Sequence, residues 1–194
     1  TVQTGFSFHD EAEASAELPP AVAAFLAAGD APIVFTLGSA AVYLAGDFYA
    51  EAARAAALLG RRALLLIGKN LPPANLPPSI LAWDYLPYAQ VFPRAAAIVH
   101  QGGVGTTAQA LRAGRPMAIV PFAHDQFDNA ARVTRGGAGR TVARTRCTAQ
   151  NLARALTALL ADPRTAPAAA EAAARVRAEP ATEATADALE RVLA

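Results

Sequence analysis

The chain has 194 residues with 17 basic and 16 acidic side chains, a formal charge of +1, and a 54% hydrophobic fraction of which 52 alanines make up about half. That length suits one domain able to bury a core without disulfide staples, and the near-zero charge lacks the footprint of a nucleic-acid binder or a polybasic membrane anchor. The single cysteine, Cys147, has no internal partner, no run approaches eighteen apolar residues, and the first eighteen residues carry Asp10, Glu11, Glu13 and Glu17 where a signal peptide would be basic and then apolar, so a cytoplasmic protein without a transmembrane segment is expected.

Residues 1–18 read as a linker and residues 19–194 as the domain. Pro19 and Pro20 open a predicted helix over residues 21–28, which Gly29 closes. Residues 32–37 are a short apolar run ending in Gly38-Ser39. A helix over 47–59 stops at Gly60, and residues 63–67 form a second strand. The segment 70–79 holds Pro72, Pro73, Pro77 and Pro78, each fixing φ and removing a donor, and is irregular. Strands follow over 80–83 and 95–99, then a helix over 106–113 closed by Gly114, a strand over 117–120 and a helix over 128–135. Short apolar runs alternating with helices mark an α/β fold, a parallel sheet with helices on both faces. From Thr148 the pattern is helical only. Thr148 can cap a helix over 151–161, Pro163 interrupts, and 166–194 is helical with a break at Pro180, giving two or three terminal helices after the last strand.

The stretch 95–111 carries the chemistry. An apolar strand runs into Gly102, Gly103 and Gly105, and the turn opens a helix whose unsatisfied N–H groups carry the positive end of its dipole. Such an end attracts phosphate, at roughly 0.3–1 kcal/mol per charge, so further donors are needed. His100, the Thr106 hydroxyl and Ser39 lie on the sheet edge where ligands of parallel α/β folds bind. A tight turn without a ligand is the plain alternative. A second is a dinucleotide fingerprint, because Gly103, Gly105 and Ala108 fit G-x-G-x-x-A and Asp125 lies twenty residues beyond Gly105, as in the NAD(P)-binding domain of an oxidoreductase. Against it, the motif follows at least two earlier strand–helix units, and Asp125 sits in a loop past Val120. A third is a stand-alone nucleotide-binding module.

The run His100-Gln-Gly-Gly-Val-Gly-Thr106, then residues 110–116, then Val120-Pro-Phe-Ala-His-Asp-Gln-Phe-Asp-Asn-Ala130, resembles the donor-binding signature of nucleotide-sugar glycosyltransferases of the GT-B fold, the macrolide, glycopeptide, flavonoid and sterol group above all. Resemblance is strongest over 83–145, and Phe35-Thr-Leu-Gly-Ser39 is similar to the family's first strand and phosphate-binding serine. It implies a Rossmann-like C-terminal half of a GT-B fold, with 1–18 similar to the interdomain linker. Ser39, His100 and the amides of Gly103, Val104, Gly105 and Thr106 would hold the diphosphate, His100 also neutralising charge on the departing nucleotide. Asp125 and Gln126 match the acid–amide pair for the sugar hydroxyls, a task that fixed acceptors and donors on adjacent residues suit.

For the base, the family stacks an aromatic residue shortly before a proline. Trp83 and Tyr85 both precede Leu86-Pro87; alignment on Pro87 favours Tyr85, with the Leu86 backbone reading the base edge and Trp83 equally a core residue. Where many plant members place a ribose-binding glutamate this chain has Ala108, which leaves Gln109 as a substitute. The resemblance further implies an inverting transfer from a UDP- or TDP-sugar to a hydroxyl of a natural product, sterol or lipid. The general base would lie on an N-terminal acceptor domain that this chain does not include, so no catalytic residue is assigned here: His9 falls in the linker and His124 beside the sugar pair. No metal or other cofactor is expected, since no acidic pair or Cys/His cluster has ligand spacing. The missing initiator Met, and the bias of 16 arginines to the single Lys69, suggest a piece of a longer bacterial protein.

Overall fold

In the computed structural model, residues 1–8 and 17–193 are described, and six short strands build one parallel sheet. In chain order the elements are α1 (Pro20–Ala27), β1 (Ile33–Thr36), α2 (Phe48–Leu58), β2 (Ala63–Leu66), β3 (Ile80–Trp83), α3 (Tyr88–Val91), β4 (Ala97–His100), α4 (Val104–Ala113), β5 (Met117–Ile119), α5 (Gln126–Arg135), β6 (Gly139–Thr141), α6 (Ala149–Ala161), α7 (Thr165–Ala178) and α8 (Ala181–Leu193). The sheet order is β3-β2-β1-β4-β5-β6, the doubly wound Rossmann order.

The strands are apolar on both faces because both faces are covered. β1, β2 and β4 are buried at every position. Their side chains alternate between two cores. Ile33, Phe35 and Leu65 face one core with Leu152 and Leu156 of α6, while Val34, Leu64, Ile98 and Met117 face the other with Phe92 and with Ala110 of α4. Alanine fills the contact between α2 and α6: Ala52, Ala53, Ala56, Ala149 and Ala153 are buried there, and the absence of longer side chains lets the helices approach. The Glu51 carboxylate of α2 accepts from the Ala149 N–H at the start of α6, where the Thr148 hydroxyl also accepts from Asn151 N at 3.4 Å. Both satisfy donors that a helix start leaves open.

Most predicted elements lie within two residues of their expected bounds. α4 begins at Val104, two residues before the expected Thr106, and α5 at Gln126, before the expected Asp128. β6 has no counterpart in the sequence reading, because Gly139-Arg140-Thr141 is an edge strand with two exposed polar residues and no apolar run to signal it. α3 is a single turn continued by a 3-10 turn at Phe92–Arg94 and is too short for periodicity. After Thr148 there are three helices and no strand among the described residues. Of the proposed linker 1–18, residues 9–16, with His9, Asp10, Glu11 and Glu13, lie outside the described residues. The preceding piece docks on the domain: the Arg112 guanidinium lies 4.0 Å from the Phe8 ring centroid, and Thr185 donates to the Thr4 hydroxyl at 2.9 Å.

Leu156 is fully buried between α6 and the sheet. Leu156→Ala is expected to lower the unfolding free energy by about 2–5 kcal/mol in chemical denaturation. Leu58→Ala, at a position 62% exposed, should change it by under about 0.5 kcal/mol.

Candidate functional site

β1 and β4 are neighbours, but their connections leave toward opposite faces of the sheet. α2 packs on the core containing Phe35, and α4 on the core containing Ile98. A crevice therefore opens at the carboxyl ends of these two strands, the general ligand position of doubly wound sheets. It holds a cavity of about 480 Å³. Thr36, Gly38 and Ser39 line it from the end of β1, Gly105, Thr106 and Gln109 from α4, and Gly68, Lys69, Asp84, Tyr85 and Tyr88 from the ends of β2 and β3.

The turn after β1 and the turn after β4 meet around one side chain. A Cβ on Gly38 (φ +64°) would lie 2.4 Å from Gln101 Nε2, and one on Gly103 would lie 2.7 Å from the same atom. Both positions are closed to any larger residue while Gln101 stays in place. Gln101 Nε2 donates to the Thr106 hydroxyl at 3.4 Å. The Tyr88 hydroxyl is 2.8 Å from Thr36 Oγ1 and is also hydrogen-bonded to Thr106; burial holds its pKa above the ordinary phenol value. Gly103, the residue before α4, has no side chain to cap the helix, and a Cβ at Gly105 would meet nothing within 4 Å. The first-turn N–H groups of α4 thus have an open approach from the cavity, with hydroxyls beside them.

His100 is fully buried and does not line the cavity. Its Nδ1 accepts from Gly102 N at 3.1 Å, so a neutral ring carries its proton on Nε2, which has no partner among the described residues. Burial lowers its pKa to about 3. In the chain by itself the ring is an uncharged donor, because burial penalises the imidazolium.

The two aromatic candidates separate. Tyr85 is 58% exposed and lines the cavity, whereas Trp83 is half-buried and packs, with Leu81 two residues earlier on the same strand face, against the second core. Trp83 is therefore a packing residue and not a wall of the cavity, by the period-2 alternation of β3. The Leu86 side chain is buried in that same core. On α4, Gln109 shares a face with Gly105 and Thr106 and lines the cavity, while Ala108 is buried away from it. Arg112 Nη2 donates to Gln109 Oε1 at 2.9 Å, which leaves the Gln109 amide hydrogens for other acceptors.

Asp125 and Gln126 stand at the start of α5, outside the cavity wall, and beside the glycine turn. A Cβ on Gly102 (φ +89°) would lie 3.0 Å from the Gln126 carbonyl oxygen. Gln126 Oε1 accepts from Phe122 N at 2.7 Å and Ala123 N at 3.1 Å, so this side chain fixes the preceding loop. Asp125 is exposed, and its Oδ2 accepts from Asn129 Nδ2 at 2.8 Å. Val104 is exposed and is not among the residues that line the cavity. Sequence reasoning missed Thr36, Tyr88, Gln101 and Lys69 as site residues. The signal available was adjacency, Gln101 beside His100 and Tyr88 three residues past Tyr85. No group of three His, Cys, Asp or Glu among the described residues has the arrangement of a metal site, and no helix among them is long and apolar enough to cross a membrane.

The family described as erythromycin biosynthesis protein CIII-like, C-terminal domain, matches residues 67–192. The chain is 41% identical over 145 residues, 74% of its length and 34% of the relative's, to an O-mycaminosyltylonolide 6-deoxyallosyltransferase of Streptomyces fradiae. It is 44% identical over 88 residues, 45% of its length and 6% of the relative's, to a sterol 3-beta-glucosyltransferase of Candida albicans. Among solved structures, the glycotransferase of kitacinnamycin has a TM-score of 0.76 at 29% identity, covering 84% of this chain and 43% of that one. The glycosyltransferase VinC in complex with DTDP has a TM-score of 0.73 at 27% identity, covering 91% and 44%. The fold is that of the C-terminal half of a GT-B structure, and the chain spans well under half the length of the curated relatives it matches. The oxidoreductase alternative is not supported. Its fingerprint follows the fourth strand instead of the first, and its candidate acid, Asp125, is tied to Asn129 at a helix start.

The neutral state of His100 has a pH signature. The unfolded chain's histidine takes up a proton below about pH 6.5, and the native one only near pH 3, so stability is complete above 6.5 and falls as pH drops toward 3. Between pH 7 and 5 the wild type should lose about 2 kcal/mol that His100→Asn, which keeps an acceptor for Gly102 N, does not lose. Urea unfolding at both pH values checks this, and equal losses in the two proteins would show that His100 is not held neutral.

Proposed function

Because the chain belongs to the family of the erythromycin biosynthesis protein CIII-like C-terminal domain, we propose that it is the donor-binding half of an inverting glycosyltransferase. The donor is a UDP- or TDP-sugar and the acceptor a hydroxyl of a small natural product, sterol or lipid. The observation that carries this reading is the open N-terminus of α4, with Thr106, Tyr88, Thr36 and Ser39 hydroxyls around it, at the switch point of the sheet. Donors fixed in position at such a crevice suit a diphosphate whose charge grows as it leaves. The names of the relatives support sugar transfer, and the solved VinC complex supports a thymidine diphosphate.

In this reading the α4 amides, Ser39 and Thr106 hold the diphosphate, His100 supports the glycine turn from behind through Gly102 N, and the exposed Tyr85 ring stacks on the base at the far side of the cavity. The Leu86 backbone lies beside the base, and Gln109 offers its amide hydrogens to the ribose. Asp125 and Gln126 take the sugar hydroxyls. The acceptor oxygen attacks the anomeric carbon from the face opposite the diphosphate, the bond to the diphosphate oxygen breaks, and a base on an N-terminal acceptor domain removes the acceptor's proton. Charge on the leaving group rests on amides, hydroxyls and the helix dipole, and neither metal nor other cofactor takes part.

Calorimetric titration of the chain with UDP, TDP and NAD tests the reading. A nucleoside diphosphate is expected to bind and NAD is not; NAD binding alone would overturn it. Tyr85→Ala should weaken nucleoside diphosphate binding by about 1–2 kcal/mol through lost stacking. The chain by itself is expected to transfer no sugar, and turnover without an added acceptor domain would contradict the assignment of the base to that domain.

A further inference from the structure

The geometry points to Asn129 as a positioning residue that ties the sugar-side carboxylate of Asp125 to the glycine turn, so that the diphosphate and sugar ends of a donor are read by one rigid unit. This rests on the donor-binding reading above. Asn129 Nδ2 has two hydrogens, and both are used. One goes to the Gly102 carbonyl oxygen and the other to Asp125 Oδ2, each at 2.8 Å.

The two partners belong to different elements. Gly102 is in the turn between β4 and α4, and Asp125 is the residue before α5. The Gly102 turn packs tightly against the start of α5, because a Cβ at Gly102 would sit 2.9 Å from Ile119 Cγ2 and 3.0 Å from the Gln126 carbonyl. Positions 125 and 129 stand one turn apart on the same helix face, which is why a side chain as short as Asn reaches both targets. Asn is a poor helix former, so its place in the second turn of α5 costs stability that these two bonds offset. The adjacent Asp128 makes only an exposed pair with Arg132, four residues on.

With Oδ2 engaged by Asn129, Asp125 is fixed in one rotamer and keeps Oδ1 as the acceptor for a sugar hydroxyl. No isosteric substitute does the same. An Asp at 129 has no donors when ionised and would set a second carboxylate against Asp125.

The test compares affinities of the full chain for a nucleoside diphosphate and for its sugar nucleotide, in wild type, D125A, N129A, N129D and the D125A/N129A double variant. The ratio of the two affinities isolates the sugar. D125A is expected to reduce that ratio about tenfold, as for a lost hydrogen bond to a charged group. N129A should reduce it by a similar factor and should also weaken the bare diphosphate about threefold, since the Gly102 carbonyl loses its anchor. The double variant should show no greater loss in the ratio than D125A alone, because coupled residues are not additive. N129D, of nearly equal size, carries the same expectation if N129A does not fold. A wild-type ratio in a folded N129A or N129D, or losses that add in the double variant, would overturn the inference. A wild-type ratio in D125A would instead overturn the assignment of Asp125 to the sugar, and this inference with it.

Discussion

The close approach of two backbone turns around the Gln101 amide is the constraint on which the site depends. Gly38 at the end of β1 and Gly103 at the end of β4 both abut Gln101 Nε2, and neither turn can take a side chain there without displacing it. That contact joins the two turns at the switch point. It also orients Thr106, whose hydroxyl receives the Gln101 donor and joins the Tyr88–Thr36 pair. The sheet order creates a crevice in any doubly wound fold; the Gln101 wedge gives this one its polar floor.

Around that floor the cavity wall carries few cations. Lys69 is the lone lysine and lies on the cavity wall, while His100 is neutral. Several arginines form exposed pairs elsewhere, among them Arg132 with Asp128, Arg164 with Asp162 and Arg175 with Glu171. Such pairs add little to stability. Under the proposed function, a diphosphate would be met by oriented N–H and O–H groups, and rigidity becomes the property the surrounding structure has to supply. α5 contributes to it through Gln126, which pins residues 122 and 123, and through Asn129, which joins the glycine turn to Asp125.

The alanine content belongs to the same account. Between α2 and α6 the buried small side chains allow close packing on the face of the sheet that carries Phe35, and Glu51 bonds the start of α6 across that contact. Cys147 lies partly buried near this region, its thiol pushed up to about 11 by burial first and by Glu51 second, which leaves it protonated and unreactive at neutral pH.

The sequence by itself determined the alternating α/β order, the glycine turn that opens α4, the proline-rich segment without regular structure and the helical C-terminus. These follow from local physics: side-chain periodicity, the φ that only glycine readily takes, and the donor that proline lacks. It also brought His100, Thr106, Asp125 and Gln126 into one motif. Tertiary structure alone decided the rest. Whether Trp83 or Tyr85 met the cavity depended on which face of β3 the second core covered, and the charge of His100 depended on complete burial by elements distant in sequence. β6 exists because β5 offers it a ladder, not because three residues with two exposed polar side chains favour a strand. The roles of Gln101 and Asn129 come from contacts across turns, where amide groups find partners that no local pattern encodes.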